Sequence, residues 1–554
     1  MINCLFLCVS VANHTKKIYL CAKLIQANIM RYIYLNPDNT GFKEILSKKI
    51  YVDKTMMLSV LNVFIDESNK YICVSRPRRF GKTIATKMMC AYYSKGCDSR
   101  EIFSKLKISK AKNYEQYLNK LNFIKIDVAS EYQNARMKDE MLTDLQAKIL
   151  REFKAQFPEI KFRDNETLAN CMMEVFAATG ETFVIILDEY DCLVRDTFGT
   201  HLFADYLEFL NGLFKSEPLS SAISLAYITG ILPVVRDRVQ SKLNNFEEYT
   251  ILDAQQLAEF VGFTEKEVKP LCRRFRVDFQ ECKRHYDGYA QNGYEIYNPE
   301  SVVKCVTTKQ FDNHWNRTST YAVIRDRIKA GFKGIKEDVI AMIGGGSVEV
   351  NVGRYMNTMT DFYNKDDVFT YLIHLGYLAY NKVDKTCRIP NLEVQQEWLN
   401  AIEDIDTYEV TDQIVKDSKE LLKQTILKNS EAVAKALDLS HIHVTSNRSY
   451  NNEDALQSAI YLSYLYARNE YTVIKEMTTG KGFADVVYIP VNPEKPAMVI
   501  ELKHNKSTES ALAQIKERRY FDSLEHYTGN LLLVAINYDE KSKTHECEIT
   551  ELVK

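Results

Sequence analysis

The sequence lacks the features that mark membrane-spanning, disulfide-rich and disordered chains. No run approaches the roughly 18 to 20 consecutive apolar residues that a membrane helix needs, and no basic segment precedes the apolar start from Cys4 to Ala12, as it would in a signal peptide. The 13 cysteines are scattered between Cys4 and Cys547 without a CxxC pair, and glycine and proline are few, at 20 and 11. These absences predict a cytoplasmic protein with reduced thiols and no membrane segment.

Neither sign of charge dominates the chain. Its 72 Lys and Arg residues balance 74 Asp and Glu residues, for a formal net charge of −2, so any nucleic-acid contact must come from a local basic patch. Hydrophobic residues make up 46% and charged residues 26% of the 554 positions, which is typical of globular proteins. A chain of this length is expected to form three or four domains of roughly 150 residues each.

The order of strand-like and helical patterns divides the chain into five segments. We interpret residues 1–29 as an N-terminal extension, because Met30 leads directly into the strand-like Tyr32-Ile33-Tyr34. From 30 to 250, short β-rich runs alternate with helical stretches, which predicts a parallel sheet with crossover helices. We predict a helical lid or accessory region at 251–311, a mainly helical middle region at 312–435 and a mixed α/β domain at 436–554.

The strongest chemical signal follows the predicted strand Tyr71 to Val74. It is the segment Arg76-Pro77-Arg78-Arg79-Phe80-Gly81-Lys82-Thr83, which precedes a helical run. Strand, loop and helix in this order predict a phosphate-binding loop (P-loop), in which backbone N–H groups and a helix N-terminus converge on an anion. Lys82 would reach the terminal phosphates and Thr83 would hold Mg²⁺, with Arg78, Arg79 and Gly81 completing the nucleotide-binding set. Arg76 departs from the general pattern, which has glycine at this position.

An acidic partner for this loop lies at the end of the apolar run Phe183 to Leu187. Asp188 would hold Mg²⁺, and Glu189 would orient or deprotonate the attacking water, as in a Walker B motif. The two motifs together predict ATP or GTP binding. Thr229, at the end of the next predicted strand, is either a sensor of the γ-phosphate or a turn residue. Arg236 and Arg238 either stabilise transition-state charge or are solvated side chains.

These segments resemble the bacterial AAA-ATPase-like family over residues 36–310. The resemblance rests on the segments Tyr51 to Thr55, Ser75 to Thr83, Asp188 to Asp191, Thr229 to Pro233, Asn244 to Phe246, Tyr286 to Tyr289 and Tyr297 to Pro299. It implies that the arginine-rich loop is the family's usual form, and that the chain ends in a PD-(D/E)xK nuclease-like domain. Related ATPases often complete their sites between subunits, so the resemblance also implies a homo-oligomer.

The C-terminal region carries residues of that nuclease type. Runs from Phe483 to Ile489 and from Ala497 to Lys503 predict a hairpin. Glu501 and Lys503 are two residues apart and therefore share one face, while Asp485 lies on the partner strand. Two carboxylates would hold Mg²⁺, or Mn²⁺, and the lysine would position water or neutralise charge on a phosphodiester. The resemblance adds Glu453 as a further metal ligand and Gln514 as a supporting residue.

We therefore predict an α/β protein in which a P-loop NTPase sheet with a helical lid and middle region precedes a PD-(D/E)xK nuclease-like domain. In this prediction ATP binding and hydrolysis control a metal-dependent nuclease that acts on DNA rather than RNA. The alternative is a nucleotide-switched scaffold whose tail binds nucleic acid or protein without cleaving. We predict no zinc site at the strand-like His441 and His443, and a flexible hairpin turn at Gly344 to Gly346.

Overall fold

The computed structural model describes residues 31–552 except 198, 235–242, 315–320, 330, 344, 355–361, 404–408, 445–459, 461–462, 465, 468–469, 480–481, 491–493 and 518–528. Within these residues, no helix combines the length and the apolar character needed to cross a bilayer.

A five-stranded parallel sheet organises the first half of the chain. Its strands are β1 (Tyr71–Ser75), β2 (Asn122–Asp127), β3 (Phe183–Asp188), β4 (Ile223–Gly230) and β5 (Glu247–Tyr249), in the order β2-β3-β4-β1-β5. Strands β1, β3 and β4 are buried at every position, which explains their continuous apolar runs. Asp188 pairs with Thr229, and Ser75 with Gly230, so the three strands end at one edge. The predicted parallel sheet is confirmed.

Helices cover both faces of this sheet. They are α1 (Thr40–Leu46), α2 (Met56–Leu61), α3 (Lys82–Tyr93), α4 (Arg100–Phe103), α5 (Val128–Asn134), α6 (Met141–Gln156), α7 (Leu168–Thr179), α8 (Cys192–Asp196), α9 (His201–Phe214) and α10 (Glu217–Ser220), with 3₁₀ turns at Lys107–Lys110 and Lys138–Glu140. Met57 of α2 and Met89 of α3 belong to the core on one face, and Leu145 of α6 and Leu210 of α9 to the core on the other. Helices thus pack on both faces of the sheet, and ligands of such sheets bind at the carboxyl ends of the strands.

A single carboxylate fixes the segment before α1. The strand predicted at Tyr32 to Tyr34 does not form, because the backbone N–H groups of this segment donate to the Glu152 carboxylate of α6 instead of to a neighbouring strand. The carboxylate accepts from the N–H groups of Ile33 (2.9 Å), Tyr34 (3.0 Å) and Leu35 (2.8 Å). Leu35 alone forms an isolated bridge to the sheet, with Ile124.

The region at 251–311 contains a small antiparallel sheet beside its helices. Its elements are a 3₁₀ turn at Gln255–Leu257, β6 (Phe263–Thr264), α11 (Glu265–Phe275), α12 (Phe279–Tyr286), β7 (Tyr289–Gln291), β8 (Tyr294–Tyr297) and α13 (Pro299–Thr308), with strand order β6-β8-β7. The aromatic segment from Tyr289 to Tyr297 forms the β7–β8 hairpin. Its turn residues Asn292 and Gly293 have φ of 47° and 81°, and Asn-Gly is the sequence signal of such a turn.

The middle region is mainly helical, with a second small sheet. It contains α14 (Tyr321–Ile328), α15 (Ile335–Ile343), β9 (Val348–Glu349), a 3₁₀ turn at Val352–Arg354, α16 (Lys365–Leu375), β10 (Ala379–Asn381), β11 (Thr386–Arg388) and α17 (Leu392–Glu403). The hairpin turn predicted at the glycine triplet is wrong. The N–H groups of Gly345 and Gly346 donate to Met342 O and Ala341 O and so close the end of α15; Gly344 lies outside the described residues.

A mixed five-stranded sheet forms the C-terminal region. Its elements are α18 (Glu409–Ile426), α19 (Ser430–Val444), β12 (Tyr471–Thr479), β13 (Gly482–Pro490), β14 (Ala497–His504), α20 (Thr508–Glu517), β15 (Leu531–Asp539) and β16 (Thr544–Leu552), with strands in sequence order. Only the β14–β15 pair is parallel. Leu421 of α18 and Leu437 of α19 pack on one face, and Leu512 of α20 on the other. His441 and His443 lie in helix α19, so their predicted strand is wrong.

We expect Glu152→Ala to lower the free energy of unfolding by about 2 kcal/mol or more, because three backbone donors lose a charged acceptor. Urea denaturation of the full chain measures this change. The exposed Glu159, just beyond α6, provides the control Glu159→Ala. Equal denaturation midpoints for the two variants would contradict the expectation.

Candidate functional site

The loop between β1 and α3 has a backbone shaped for an anion. Gly81 is the residue before helix α3 and has φ of 94°, a left-handed conformation that favours glycine. Arg79 is also left-handed, with φ of 68°. The loop thereby turns sharply into the N-terminus of a 12-residue helix, where unpaired N–H groups and the helix dipole attract negative charge.

The Lys82 ammonium is held inside this loop. Its Nζ donates to the carbonyl oxygens of Arg76 (3.0 Å) and Pro77 (3.1 Å), and lies 3.9 Å from Glu189 Oε1. The side chain is only 4% exposed. Burial lowers the pKa of Lys82, and the neighbouring Glu189 counteracts part of that shift. The ammonium is therefore placed where loop carbonyls and one carboxylate share its charge.

Asp188 faces a hydroxyl that the sequence did not single out. Its Oδ2 accepts a hydrogen bond from Thr86 Oγ1 at 3.0 Å, and its buried Oδ1 has no hydrogen-bond partner among the described residues. Burial raises the pKa of Asp188. Thr83, the predicted metal-holding hydroxyl, is exposed at the second position of α3. Thr86 lies one helical turn after Thr83, on the same face of α3. This i, i+3 spacing is the sequence signal that could have identified Thr86 as a neighbour of Asp188.

Glu189 belongs to a partly buried ion network, in which its own side chain is 28% exposed. Its backbone is left-handed, with φ of 51°. The carboxylate lies between Lys82 and Arg195, whose Nη2 is 3.6 Å from Oε2. Arg195 Nε also contacts Asp191 Oδ2 at 3.0 Å. Burial raises the pKa of Glu189, whereas Lys82 and Arg195 act to lower it. Sequence reasoning missed Arg195, although it is one helical turn after Asp191.

Asp191 connects this network to the end of β4. Its Oδ2 accepts from the backbone N–H groups of Ile231 (3.1 Å) and Leu232 (3.0 Å) as well as from Arg195. A Cβ on Gly230 would lie 2.2 Å from Asp191 Oδ1, so the close approach requires glycine. The acidic end of β3 and the segment after β4 are therefore joined through one buried carboxylate.

The remaining predicted nucleotide-binding residues lie at different depths. Arg78 is exposed. Arg79 Nη1 donates to His314 O at 2.5 Å and its Nε lies 3.3 Å from Glu300 Oε2, so this side chain joins the loop to residues at and beyond α13. The buried Thr229 hydroxyl donates to Val74 O at 2.7 Å and is thus engaged between β4 and β1. Arg236 and Arg238 lie outside the described residues.

A cavity of about 530 Å³ adjoins the loop. Gly81, Lys82, Thr83 and Glu189 contribute to its lining, as do further charged side chains at Lys48, Lys54, Arg79 and Glu300. Its other walls carry the apolar side chains of Ile50, Val52, Phe260, Phe263 and Val303. Apolar walls with a few convergent polar groups are characteristic of small-molecule sites, and the volume lies within their usual range.

The C-terminal sheet brings three predicted residues together. Lys503 Nζ donates to Glu501 Oε1 at 3.0 Å, and Gln514 Nε2 of α20 donates to the same oxygen. Glu501 and Lys503 are 1% and 9% exposed. Leu502 points into the opposite core, as the two-residue strand period predicts. The lysine and the amide thus hold one buried carboxylate on the central strand of the sheet.

The other predicted metal ligands of this region are incompletely described. Val486 of β13 pairs with Ile500 of β14, so the backbone positions of Asp485 and Glu501 adjoin at the end of that ladder. The side chain of Asp485 and the whole of Glu453 lie outside what the structure describes. Within the described part, no group of three or more His, Cys, Asp or Glu residues is arranged to hold a metal.

The fold and the loop define a P-loop ATPase-type region followed by a mixed α/β domain. Residues 40–240 match the family model described as a predicted AAA-ATPase, and residues 451–548 match that of the PD-(D/E)XK nuclease superfamily. These matches identify residues 40–240 as an AAA-ATPase-like region and residues 451–548 as a PD-(D/E)XK nuclease superfamily region.

More distant similarities were also found. A protein of Azotobacter chroococcum mcd 1, described as uncharacterized and in the vnfD 5′ region, is 23% identical over 374 residues, covering 64% of this chain and 66% of that protein. This chain thus spans just under two thirds of that relative. Cdc6p from Pyrobaculum aerophilum aligns with a TM-score of 0.26 and 11% identity over 67% of this chain and 99% of that one. The Aeropyrum pernix ORC2 protein (ADPNP–ADP complexes) aligns at 0.29 and 10% over 64% and 96%.

We expect Asp191→Ala to destabilise the protein by about 3 kcal/mol or more. The change leaves Arg195 and two buried N–H groups without their shared acceptor. Asp196→Ala, at the exposed last position of the helix that Asp191 precedes, is the matched control and should change stability by less than about 0.5 kcal/mol. The measurement is thermal unfolding of the full chain. Similar decreases in melting temperature for both variants would refute the assigned role of Asp191.

Proposed function

We propose that the chain binds and hydrolyses ATP at the loop between β1 and α3. The observation that carries the proposal is the burial of the Lys82 ammonium within the loop, beside the two carboxylates that end β3. A lysine held by carbonyl oxygens can exchange those partners for phosphate oxygens without moving far. The adjoining cavity has apolar walls suited to a nucleoside.

In this proposal each group at the sheet edge has a role. Gly81 lets the loop approach the phosphates, while Arg78 and Arg79 add positive charge around them. Thr83 and Asp188 would hold Mg²⁺, which when bound neutralises charge on the phosphates and fixes their geometry. The unpartnered Oδ1 of Asp188 suits this role. Glu189 orients or deprotonates the attacking water. Thr229 acts as a sensor of the γ-phosphate, for which its hydroxyl would have to break its hydrogen bond to Val74 O.

We further propose that the C-terminal region is a metal-dependent nuclease acting on DNA rather than RNA. The support is the convergence of Glu501, Lys503 and Gln514 on one buried face, in a region of the nuclease superfamily. Asp485 and Glu501, with Glu453, would hold Mg²⁺ or Mn²⁺, which activates water and stabilises charge on the phosphodiester. Lys503 neutralises developing negative charge, and Gln514 orients the Glu501 carboxylate.

Control of the nuclease by the nucleotide is supported by a chain of contacts. Arg79 of the loop binds His314 O. The N–H of His314 and the hydroxyl of Ser301 both bind the buried Glu393 carboxylate at the start of α17, at 2.8 Å and 2.9 Å. Helix α17 in turn packs against α18, which shares the core of the C-terminal sheet. A phosphate that draws Arg79 away would alter the first contact in this chain.

We also propose that the protein is cytoplasmic, and that it acts as a homo-oligomer, as related ATPases often do. Both remain predictions. Buried reduced thiols fit the first, since the described cysteines form no disulfide and most of them are buried.

Cleavage of labelled single- and double-stranded DNA and RNA, with Mg²⁺ or Mn²⁺ and with or without ATP, tests the function. We expect wild-type cutting to depend on metal and ATP. Glu501→Gln should lose cutting while retaining ATP hydrolysis, and Lys82→Ala should lose hydrolysis and ATP control. Hydrolysis without cutting under any condition would favour the nucleotide-switched scaffold instead. Cutting that is equally fast without ATP and in Lys82→Ala would contradict the coupling.

We expect Arg195→Gln to move the acid limb of ATP turnover to higher pH. Burial raises the pKa of Glu189 and Arg195 opposes that shift. Removing the cation therefore raises the pKa further, so the carboxylate ionises only at higher pH. The measurement is kcat between pH 5 and 9, with Arg195→Lys as the charge-preserving control. An unchanged acid limb in Arg195→Gln would show that Arg195 does not tune Glu189.

A further inference from the structure

Arg76 is a buried arginine at the base of the loop to which we assign ATP binding. It follows β1 directly and its side chain is 0% exposed. Arginine is almost never fully buried without a carboxylate partner, because an uncompensated charge in the protein interior is costly. Some interaction must therefore offset the free-energy cost of burying the Arg76 charge.

The described residues offer the Arg76 guanidinium no carboxylate within salt-bridge distance. Its Nη1 donates to two backbone oxygens, Ser75 O and Tyr249 O, each at 2.8 Å. Its Nε and Nη2 are buried without a hydrogen-bond partner among the described residues. Burial lowers the pKa of Arg76 to about 10, so the side chain stays protonated at neutral pH. Only carbonyl dipoles therefore balance a full positive charge.

This charge lies close to the predicted phosphate position. Arg76 Nη1 contacts Ser75 O, and the next carbonyl along the chain, Arg76 O, accepts from Lys82 Nζ at 3.0 Å. Adjacent carbonyl groups are separated by about one residue of chain, so the guanidinium lies within roughly 10 Å of the Lys82 ammonium. Low-polarity surroundings transmit charge over such a distance far better than water.

We infer that Arg76 is an electrostatic determinant of polyphosphate binding, acting through space from beneath the loop. The inference rests on the proposed ATP site. In the nucleotide-free protein the buried charge is under-compensated; a bound polyphosphate supplies the missing negative charge. The effect therefore scales with the ligand's charge, and Arg76 favours triphosphates over diphosphates and monophosphates.

The magnitude is sufficient to measure. Two unit charges about 10 Å apart in an effective dielectric of about 20 change a binding constant on the order of tenfold. Each additional phosphate charge near the loop adds to the effect. A purely structural arginine, one that only ties β1 to β5 through Tyr249 O, would instead affect all nucleotides by the same factor.

The test compares binding of ATP, ADP and AMP to the full-length wild type, Arg76→Met and Arg76→Lys by titration calorimetry, with thermal unfolding of each protein without nucleotide. For Arg76→Met we expect an affinity loss of about tenfold or more for ATP, a smaller loss for ADP and the smallest for AMP. Arg76→Lys keeps the charge and should keep most of the ATP affinity. The nucleotide-free melting temperature of Arg76→Met should not fall, since a desolvated charge has been removed.

Equal losses for the three nucleotides, or equal losses in the Met and Lys variants, would overturn the inference. If Arg76→Met does not fold, Arg76→Gln serves as the second neutral variant, because its amide can still donate to a backbone oxygen. Lys82→Ala separates this result from a failure of the proposed function. If wild type and Lys82→Ala bind ATP equally weakly, the ATP site itself is refuted. If Lys82→Ala loses ATP binding while the Arg76 variants bind ATP as tightly as wild type, the inference alone fails.

Discussion

Buried charge at the carboxyl edge of the parallel sheet is the constraint on which the nucleotide site depends. Lys82, Asp188 and Asp191 are buried there, and the partly buried Glu189 and Arg195 lie beside them. Each charge taken from water must be offset by a partner, so moving one group disturbs the others. Asp191 has the central position, because it accepts from Arg195 and from two backbone N–H groups after β4. This explains why Gly230 has no space for a side chain.

The sequence predicted the elements that local pattern determines. Continuous apolar runs identified β1, β3 and β4, and the residues that end them identified Lys82, Asp188 and Glu189 as neighbours. Alternation on β14 placed Glu501 and Lys503 together. These positions could be predicted because parallel strands end at one edge and strand residues two apart share a face.

Features that depend on tertiary contact were not predictable in the same way. Thr86 and Arg195 become site neighbours only when helices α3 and α8 dock against β3. Glu152 replaces a predicted strand through a contact across more than a hundred residues. The glycine pair after α15 was misinterpreted because helix ends and hairpin turns use the same left-handed conformation. The Asn292-Gly293 hairpin, by contrast, carried a local signal.

The two candidate sites share one electrostatic arrangement. Lys82 lies 3.9 Å from Glu189, and Lys503 lies 3.0 Å from Glu501. In both places a carboxylate keeps a buried lysine paired, so the protein avoids an isolated charge. Two backbone carbonyls also accept from Lys82, whereas the Gln514 amide donates to the Glu501 carboxylate. A phosphate group or a metal ion changes that pairing, since it offers the lysine a new anion or the carboxylate a new cation. At both proposed sites, ligand binding would therefore be an exchange of partners within a pre-formed set of charges, which requires little rearrangement of the surrounding core.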